Sequence, residues 1–253
     1  MPLLLLLRRL LAVIVFVPIA SIAAAQSTAG IAEGTMPPDY PGVWTHLPGI
    51  YVTPVPNSPF TAQVDILGHD AMPDGTERVR STMIHVARSS SGRIYNESRL
   101  LVGPGFKGTP ALTSAHTYDP SSRLSVVWNP HVRIAREVIL DHPALTDAHR
   151  SIPPSVAGTQ QQDLGVQSLE GLTLQGIRKT RVVPAQLSGT GKPVTITDEY
   201  WYSPDLSIYM IIKHNDPRSG EQLVAVSHIE RTEPAASVFA VPADFKVVDE
   251  TPL

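Results

Sequence analysis

Most of this chain alternates apolar and polar residues in short stretches that turn-forming residues separate. In Phe60–Leu67 almost every second residue is apolar, which is the period of a β-strand with one buried face. Separators such as Pro73-Asp74-Gly75 favour tight turns over long crossovers. The pattern therefore predicts a mainly β fold with antiparallel pairing of successive strands. The predicted strands are Phe60–Leu67, Val79–Arg88, Arg93–Val102, Ala111–Tyr118, Leu124–Trp128, Val132–Leu140, Thr173–Val183, Val194–Tyr202, Leu206–Lys213 and Gln222–Arg231.

The first 25 residues have the three parts of an export signal. Arg8-Arg9 is positive, Leu10–Ala20 is apolar, and Ala23-Ala24-Ala25 offers small residues for cleavage before Gln26. The apolar run is too short to span a bilayer, and no Cys is present to carry a lipid anchor. The mature protein is expected to be soluble, without a membrane span, in the periplasm or secreted. Either a general or a twin-arginine exporter fits the arginine pair.

Other segments interrupt the strand pattern. Seven prolines in Pro37–Pro59 predict an extended path without a helix, because proline lacks an N–H and has a fixed φ. With the export signal over 1–25, this divides the chain into a Pro-rich segment over 26–58 and one β domain over 59–253. Within that domain the sequence predicts a helix over Pro143–Arg150, a polar linker over Ile152–Gln162, a short helix from Thr232 to Phe239 and a last edge strand over Val241–Val248.

Composition excludes several classes of site. The chain has no Cys, which rules out disulfides, thiol catalysis, iron–sulfur clusters and cysteine zinc sites. Its formal net charge is −3, and its Lys and Arg residues are scattered singly among acidic ones. Nucleic-acid binding depends on clustered positive charge, so nucleic acid is not an expected partner.

Candidate metal and catalytic patterns are weak. The nine histidines show neither His-x-His nor His-x3-His spacing, and the one alternative for a metal is Asp141, His142, Asp147 and His149. Gly189-Thr190-Gly191-Lys192 is followed by Pro193 where a phosphate loop needs Ser or Thr, so a turn is predicted there. No Gly-x-Ser-x-Gly occurs. The sequence therefore predicts no catalytic residue, no metal ligand and no cofactor.

The turn Ser203-Pro204-Asp205 predicts which side chains share a face. If Tyr202 lies opposite Leu206, the further pairs are Tyr200 with Ile208, Asp198 with Met210 and Ile196 with Ile212. The face is apolar except for Asp198, whose carboxylate needs a partner unless a bulge exchanges it with Glu199. The opposite face carries Trp201, Tyr209 and Ile211 among polar residues, so both faces are expected to be covered. One extra loop residue would instead bring Trp201 opposite Leu206.

The strand ends and turns of this chain resemble those of LolA-like half-barrel proteins. The likeness lies in Ser203-Pro204-Asp205-Leu206, the turn Asp216–Glu221 and the segment Phe239–Phe245. The opening meander, with Ser91-Gly92-Arg93 and Tyr118-Asp119-Pro120, is similar to a group of exported acidobacterial proteins, and the resemblance covers about 59–249. It implies a single curved antiparallel sheet with a few short helices, whose concave apolar face holds acyl chains under a helical lid. Pro37–Pro59 stands where that family has helices, which puts the lid in doubt.

The predicted function combines the apolar face with this resemblance. The chain is expected to bind an apolar ligand, such as a lipid or a lipoprotein acyl chain, without catalysis. An interaction module that docks an envelope protein through Trp201 and Tyr209 is the alternative, and an enzyme is the third. Plain core packing also explains Trp128, Trp201 and Met210. The predicted ligand-binding residues are Trp128, Asp198, Tyr200, Trp201, Ile208, Met210 and Ile212.

Overall fold

A computed structural model describes residues 50, 52–72, 74–144 and 155–252 of the 253-residue chain. Its described part is almost entirely β-structure, with one helical turn, α1 (Ala185–Ser188), and one 3-10 turn (Ala236–Phe239). The strands are β1 (Phe60–Ala71), β2 (Glu77–Arg88), β3 (Ile94–Arg99), β4 (Leu112–Asp119), β5 (Leu124–Asn129), β6 (Ile134–Ile139), β7 (Gln160–Leu169), β8 (Leu172–Val183), β9 (Val194–Ser203), β10 (Ile208–Asp216), β11 (Gly220–Glu230) and β12 (Lys246–Asp249).

All twelve strands belong to one sheet made of two antiparallel meanders. Strands β1 to β6 pair in chain order, and so do β7 to β11. The meanders join where β1 pairs with β11, with Asp70 opposite Gly220 at one end of the ladder. Strand β12 adds in parallel to β6, so β7 and β12 are the two edges and the sheet stays open. The predicted single curved antiparallel sheet, a half-barrel with a few short helices, is confirmed, with β12 as the parallel exception.

Several predicted elements differ from the structure at their ends. The linker over Ile152–Gln162 is wrong at its end, because β7 begins at Gln160. Most side chains of this edge strand are exposed, so it has no apolar alternation from which to predict it. The helix over Thr232–Phe239 is wrong in extent, since only the 3-10 turn Ala236–Phe239 forms. The predicted edge strand over Val241–Val248 is confirmed in its place as β12.

Some predictions concern residues outside the described ranges. These are the export signal, the segment up to residue 49, most of the predicted helix over Pro143–Arg150, and Asp147 and His149 of the candidate metal cluster. The end of the Pro-rich segment, 52–59, has neither helix nor strand, as predicted. Within the described ranges, no helix has both the length and the apolar character needed to cross a membrane.

The two faces of the sheet carry separate clusters of buried residues. We call the side that carries Val64, Val224 and Tyr200 the central face; it contributes much of a core that extends from β1 and β2 to β10. The other side, the outer face, carries Trp128, which packs with Ala115, Val126 and Ala135. Val241 and Phe245, from the segment before β12, pack against this second cluster. The C-terminal segment therefore contributes cover to the outer face.

The predicted register between β9 and β10 is wrong. Tyr200 lies opposite Ile212, Asp198 opposite His214, and Tyr202 opposite Tyr209. The turn is longer than predicted, because Pro204–Ser207 lies outside both strands and Ser207 adopts a φ of 51°. A bulge between Tyr209 and Ile211 then adds one residue to β10. The longer turn pairs Ile208 with Ser203, on the side of Trp201, and the bulge then reverses the alternation so that Ile212 faces Tyr200 on the other side.

Glu97 on β3 is a buried acid of the outer face, and its charge is satisfied by neighbours. Its carboxylate accepts hydrogen bonds from the Tyr95 hydroxyl at 2.7 Å, from Arg99 Nε at 2.7 Å and from the His85 backbone N–H at 3.0 Å. Burial alone would raise the pKa of Glu97, but these donors outweigh burial and hold its pKa below the usual value. Burial, and secondly the same carboxylate, raises the pKa of Tyr95.

We expect Glu97→Gln to destabilise the protein by about 2 kcal/mol near neutral pH, because it removes a buried charged acceptor. A depressed acid pKa stabilises the fold above the unfolded-state pKa, and this contribution is lost as the pH falls through the folded-state pKa. The difference in the free energy of unfolding between wild type and variant should therefore decrease below about pH 4.5. Urea unfolding at about pH 7 and about pH 3.5 measures it. A difference that stays constant across this range contradicts the assignment.

Candidate ligand-binding face

Cross-strand register places an apolar row of side chains beside a polar row on the central face. Neighbouring strands contribute one residue each to a row, and the polar row lies two residues further along each strand. The apolar row consists of Thr82, Ile66, Val224, Ile212, Tyr200 and Ile177. The polar row consists of Arg80, Gly68, Gln222, His214, Asp198 and Lys179. The face is therefore amphipathic, with a boundary that crosses six strands from β2 to β8.

The apolar side of this boundary is buried. Val224 is fully buried, and Ile66, Ile212 and Tyr200 are at most 7% exposed. Burial, and secondly the charge of Asp198, raises the pKa of Tyr200. The Tyr200 ring also contacts the Tyr209 ring edge-on, with centroids 6.0 Å apart. Aromatic and branched side chains thus form a continuous apolar surface beside the charged row.

Each carboxylate at the polar end of the face has a cationic or imidazole partner. Asp198 Oδ1 lies 2.6 Å from His214 Nδ1, which supplies the partner that the sequence requires for this acid. Asp216 accepts two bonds at 2.9 Å from Arg218, from its backbone N–H and from Nε. Burial alone would raise the pKa of Asp216, but the bonds from Arg218 hold it below the usual value. Asp70, 3% exposed, is held by Arg78 and Arg80.

Two connecting segments pack against the core of the central face. The first is 52–58, which Arg88 fastens to the sheet: Nε donates to the Ser58 carbonyl at 2.8 Å and Nη1 to the Thr53 carbonyl at 3.1 Å. Arg88 has no exposed surface, and its burial lowers its pKa to about 10. The second segment leads from β6 to Ala144, whose backbone N–H donates to the Tyr118 hydroxyl at 3.0 Å. In the described part, loops and not helices cover the face.

The predicted ligand-binding residues do not form one site. Asp198, Tyr200 and Ile212 share the central face, and Met210 is fully buried at the bulge beside them. Trp128 lies on the outer face at β5, in the second cluster. Trp201 also lies on the outer side of β9, and its ring covers Gly176 so closely that a β-carbon there would be 2.6 Å from the Trp201 Cε3 atom. Ile208 shares that side.

The site residues predicted from the sequence do not include the arginines of β2. Arg78, Arg80 and Arg88 occupy alternate positions in register with Ile84 and Val86, so the period of the strand already assigns them to the apolar face. Charged residues in phase with a buried face are a usable signal, because a buried cation needs acceptors close by. No pattern in the sequence marks those acceptors, which are Asp70 and backbone carbonyls of remote loops.

Two kinds of catalytic arrangement can be checked in the described part of the chain, a metal site and a nucleophilic triad. No group of three His, Asp or Glu side chains in the described ranges is placed to hold a metal ion. Ser227 Oγ lies 2.9 Å from Asp65 Oδ2 and 3.1 Å from His228 Nδ1. In a nucleophilic triad the carboxylate orients the histidine, whereas Asp65 here contacts the serine itself. This cluster therefore does not have the connectivity of a triad.

No protein-family model matches this chain, and neither does any curated protein sequence. Three solved structures illustrate its similarity to known folds. MucB is 11% identical over 76% of this chain and 60% of MucB, with a TM-score of 0.35. A LolA superfamily protein from Nitrosomonas europaea is 14% identical over 74% of this chain and 91% of its own, with a TM-score of 0.27. Lipoprotein LppX from Mycobacterium tuberculosis is 12% identical over 69% and 88%, with a TM-score of 0.26. The chain thus spans less than two thirds of MucB.

Proposed function

We propose that this protein binds an amphipathic ligand that contains an acyl chain, on the central face and without catalysis. The observation that carries the proposal is the straight boundary between the apolar and polar rows. An acyl chain fits the apolar side around Ile66, Val224 and Ile212, and the polar end of such a ligand fits the charged row. Asp198, Tyr200 and Ile212 keep their predicted role in this proposal.

The architecture supports the proposal in a second way. A sheet with an apolar face normally buries it against a second layer of helices or strands. In the described ranges, the only helical elements have four residues each, Ala185–Ser188 and Ala236–Phe239. In the part of the chain that the structure describes, loops such as 52–58 pack against this face. A loop cover can open with less loss of packing than a helical layer, which suits entry of a ligand.

The decisive test is to look for ligand that accompanies the purified protein. We expect native mass spectrometry of protein prepared from a bacterial envelope fraction to show bound mass that lipid extraction removes. A fluorescent fatty acid should then bind the delipidated protein. Ile212→Ala should weaken that binding, whereas Val182→Ala, a truncation smaller by one carbon at a 59% exposed position of β8, should not. Ligand-free protein that ignores the probe would refute the proposal.

Met210 tests whether the bulge belongs to the core or to the ligand space. Because Met210 is fully buried, we expect Met210→Ala to lower the free energy of unfolding by about 2–3 kcal/mol without ligand. Denaturant titration with and without a bound fatty acid measures both effects. Unchanged stability with weaker probe binding would instead mean that Met210 contacts the ligand.

The burial of Tyr209 argues against the alternative in which an envelope protein docks at Trp201 and Tyr209. Tyr209 is 3% exposed and lies opposite Tyr202, with the two ring centroids 5.3 Å apart, so it does not extend a patch around Trp201. A protein partner at that patch is therefore not proposed.

We also propose that the chain works in the periplasm or outside the cell, where its first 25 residues direct it. We expect N-terminal sequencing of exported protein to begin at Gln26. Residues 26–253 expressed alone should stay in the cytoplasm. Full-length chain recovered in the membrane fraction would show that the segment is an anchor, which would overturn this localisation.

A further inference from the structure

We infer that Arg78, Arg80 and Thr82 form a subsite for an anionic headgroup, a carboxylate or a phosphate ester, on the bound lipid. This inference rests on the proposed function, because it assigns the polar end of the same ligand. The three residues occupy alternate positions of β2 on the central face, and Ile84 continues the series on the apolar side.

Two guanidinium groups share one carboxylate oxygen at this place. Arg78 Nε and Nη2 both lie 3.1 Å from Asp70 Oδ2, and Arg80 contacts the same oxygen through Nε at 2.9 Å and Nη2 at 2.7 Å. Arg78, Arg80 and Asp70 together therefore carry one net positive charge. Asp70 is buried and fixes the two guanidiniums, while the Arg78 side chain is 51% exposed and the Arg80 side chain is 28% exposed. An oriented, partly exposed pair of guanidiniums suits the bidentate recognition of carboxylate and phosphate.

A buried hydroxyl beside this pair supplies an independent observation. Thr82 is 7% exposed, and its Oγ1 is buried without a hydrogen-bond partner in the described part of the protein. Buried polar atoms are rarely left unpaired, and an unpaired one in a native fold indicates a ligand or a water at that position. Thr82 lies between Ile84 and Arg80 on the same face of β2, at the boundary where an acyl chain ends and a headgroup begins.

The charge of this region selects an anion and not a cation. Its three carboxylates, Asp70, Asp198 and Asp216, already have the partners described above, so they do not present an empty set of ligands to a cation. The ion-paired group of Arg78, Arg80 and Asp70 carries one net positive charge, whereas the chain as a whole has a formal charge of −3. This group therefore complements an anionic headgroup.

The test compares a fluorescent fatty acid with the fluorescent alcohol of the same chain length, using the mature chain after lipid extraction. We expect wild type to bind the acid about tenfold more tightly than the alcohol. Arg80→Gln should remove most of this preference and leave binding of the alcohol within about twofold. Arg231→Gln makes the same charge change at an exposed position beyond β11 and should alter neither.

Each outcome separates the inference from the proposed function. Equal affinity for acid and alcohol in wild type would overturn the headgroup subsite while lipid binding stands. Binding of neither probe would refute the proposed function. Binding of inorganic phosphate alone, without the alcohol, would mean that the site takes a free anion and would also overturn the inference. If Arg80→Gln does not fold, Arg78→Gln at the more exposed position replaces it, and an unchanged preference there counts against the subsite.

Discussion

Gly220→Ala is expected to lower the free energy of unfolding by more than about 4 kcal/mol, a loss that few single substitutions reach. Gly220 begins β11 at a φ of 108°, a conformation that residues with a β-carbon rarely adopt. A β-carbon there would overlap the His69 carbonyl oxygen of β1 and lie 2.9 Å from the Ala71 backbone nitrogen. Both neighbours are backbone atoms of the paired strand, so they cannot rotate away. Urea or thermal unfolding measures the loss.

Gly75→Ala is the matched control for this substitution. Gly75 also has a positive φ, of 81°, but nothing lies within 4 Å of the β-carbon it would gain. The free energy of unfolding should fall by only about 1 kcal/mol in Gly75→Ala, which is the cost of the left-handed backbone alone. The difference between the two variants isolates the close approach of β1 and β11. Similar losses in both would mean that the two strands are not packed as tightly as the structure shows.

Arg88→Met is expected to destabilise the protein by about 4 kcal/mol, because it leaves buried acceptors without donors. The Arg88 guanidinium donates to the carbonyls of Thr53, Ser58 and Leu206, the last at 2.5 Å. These carbonyls belong to the segment before β1 and to the turn between β9 and β10. Methionine retains much of the apolar stem, but it provides no donor and lacks the guanidinium that lies over the Phe60 ring. The variant should therefore loosen two loops as well as lower global stability.

Amide hydrogen exchange distinguishes these two effects. We expect faster exchange in 52–58 and 204–207 of Arg88→Met, with the strands of the second meander less affected. Arg231→Met is the control, because Arg231 is exposed and its substitution should change the free energy of unfolding by no more than about 0.5 kcal/mol. Unchanged exchange in both loops would contradict the fastening role of Arg88. A loss of probe binding in the same variant would further support 52–58 as the cover of the ligand.

Local pattern alone predicts most of the sheet. The alternation in Phe60–Leu67 and the turn residues around Pro217 depend only on neighbouring positions, and both are confirmed as β1 and as the turn between β10 and β11. That turn also places His214 opposite Gln222. β7 could not be found this way, because its exposed residues carry no apolar period. Periodicity detects a buried face and not a strand as such.

The candidate site could be predicted only in part. Tyr200 and Asp198 share a face because residues two apart in a strand always do, and that relation is independent of register. Ile212 joins them only because the register of β10, with its bulge, brings it opposite Tyr200. Trp128 joined them in the prediction only because of its residue type. Its place on the outer face depends on the register of the pairings from β2 through β3 and β4 to β5, which composition does not encode.

The sequence by itself determined the strand segments, the turns and the absence of cysteine chemistry, since each depends on residue types or on spacing within a few positions. Only the tertiary structure decided which residues lie opposite each other on neighbouring strands. The bulge at Met210 shifts the register of β10 by one residue, so that Ile208 and Ile212 lie on opposite sides of the strand, and both are buried. Asp70 meets Gly220, and Arg88 meets Leu206, across more than a hundred residues. Such pairings arise from the joint packing of distant segments, for which a local pattern carries no information.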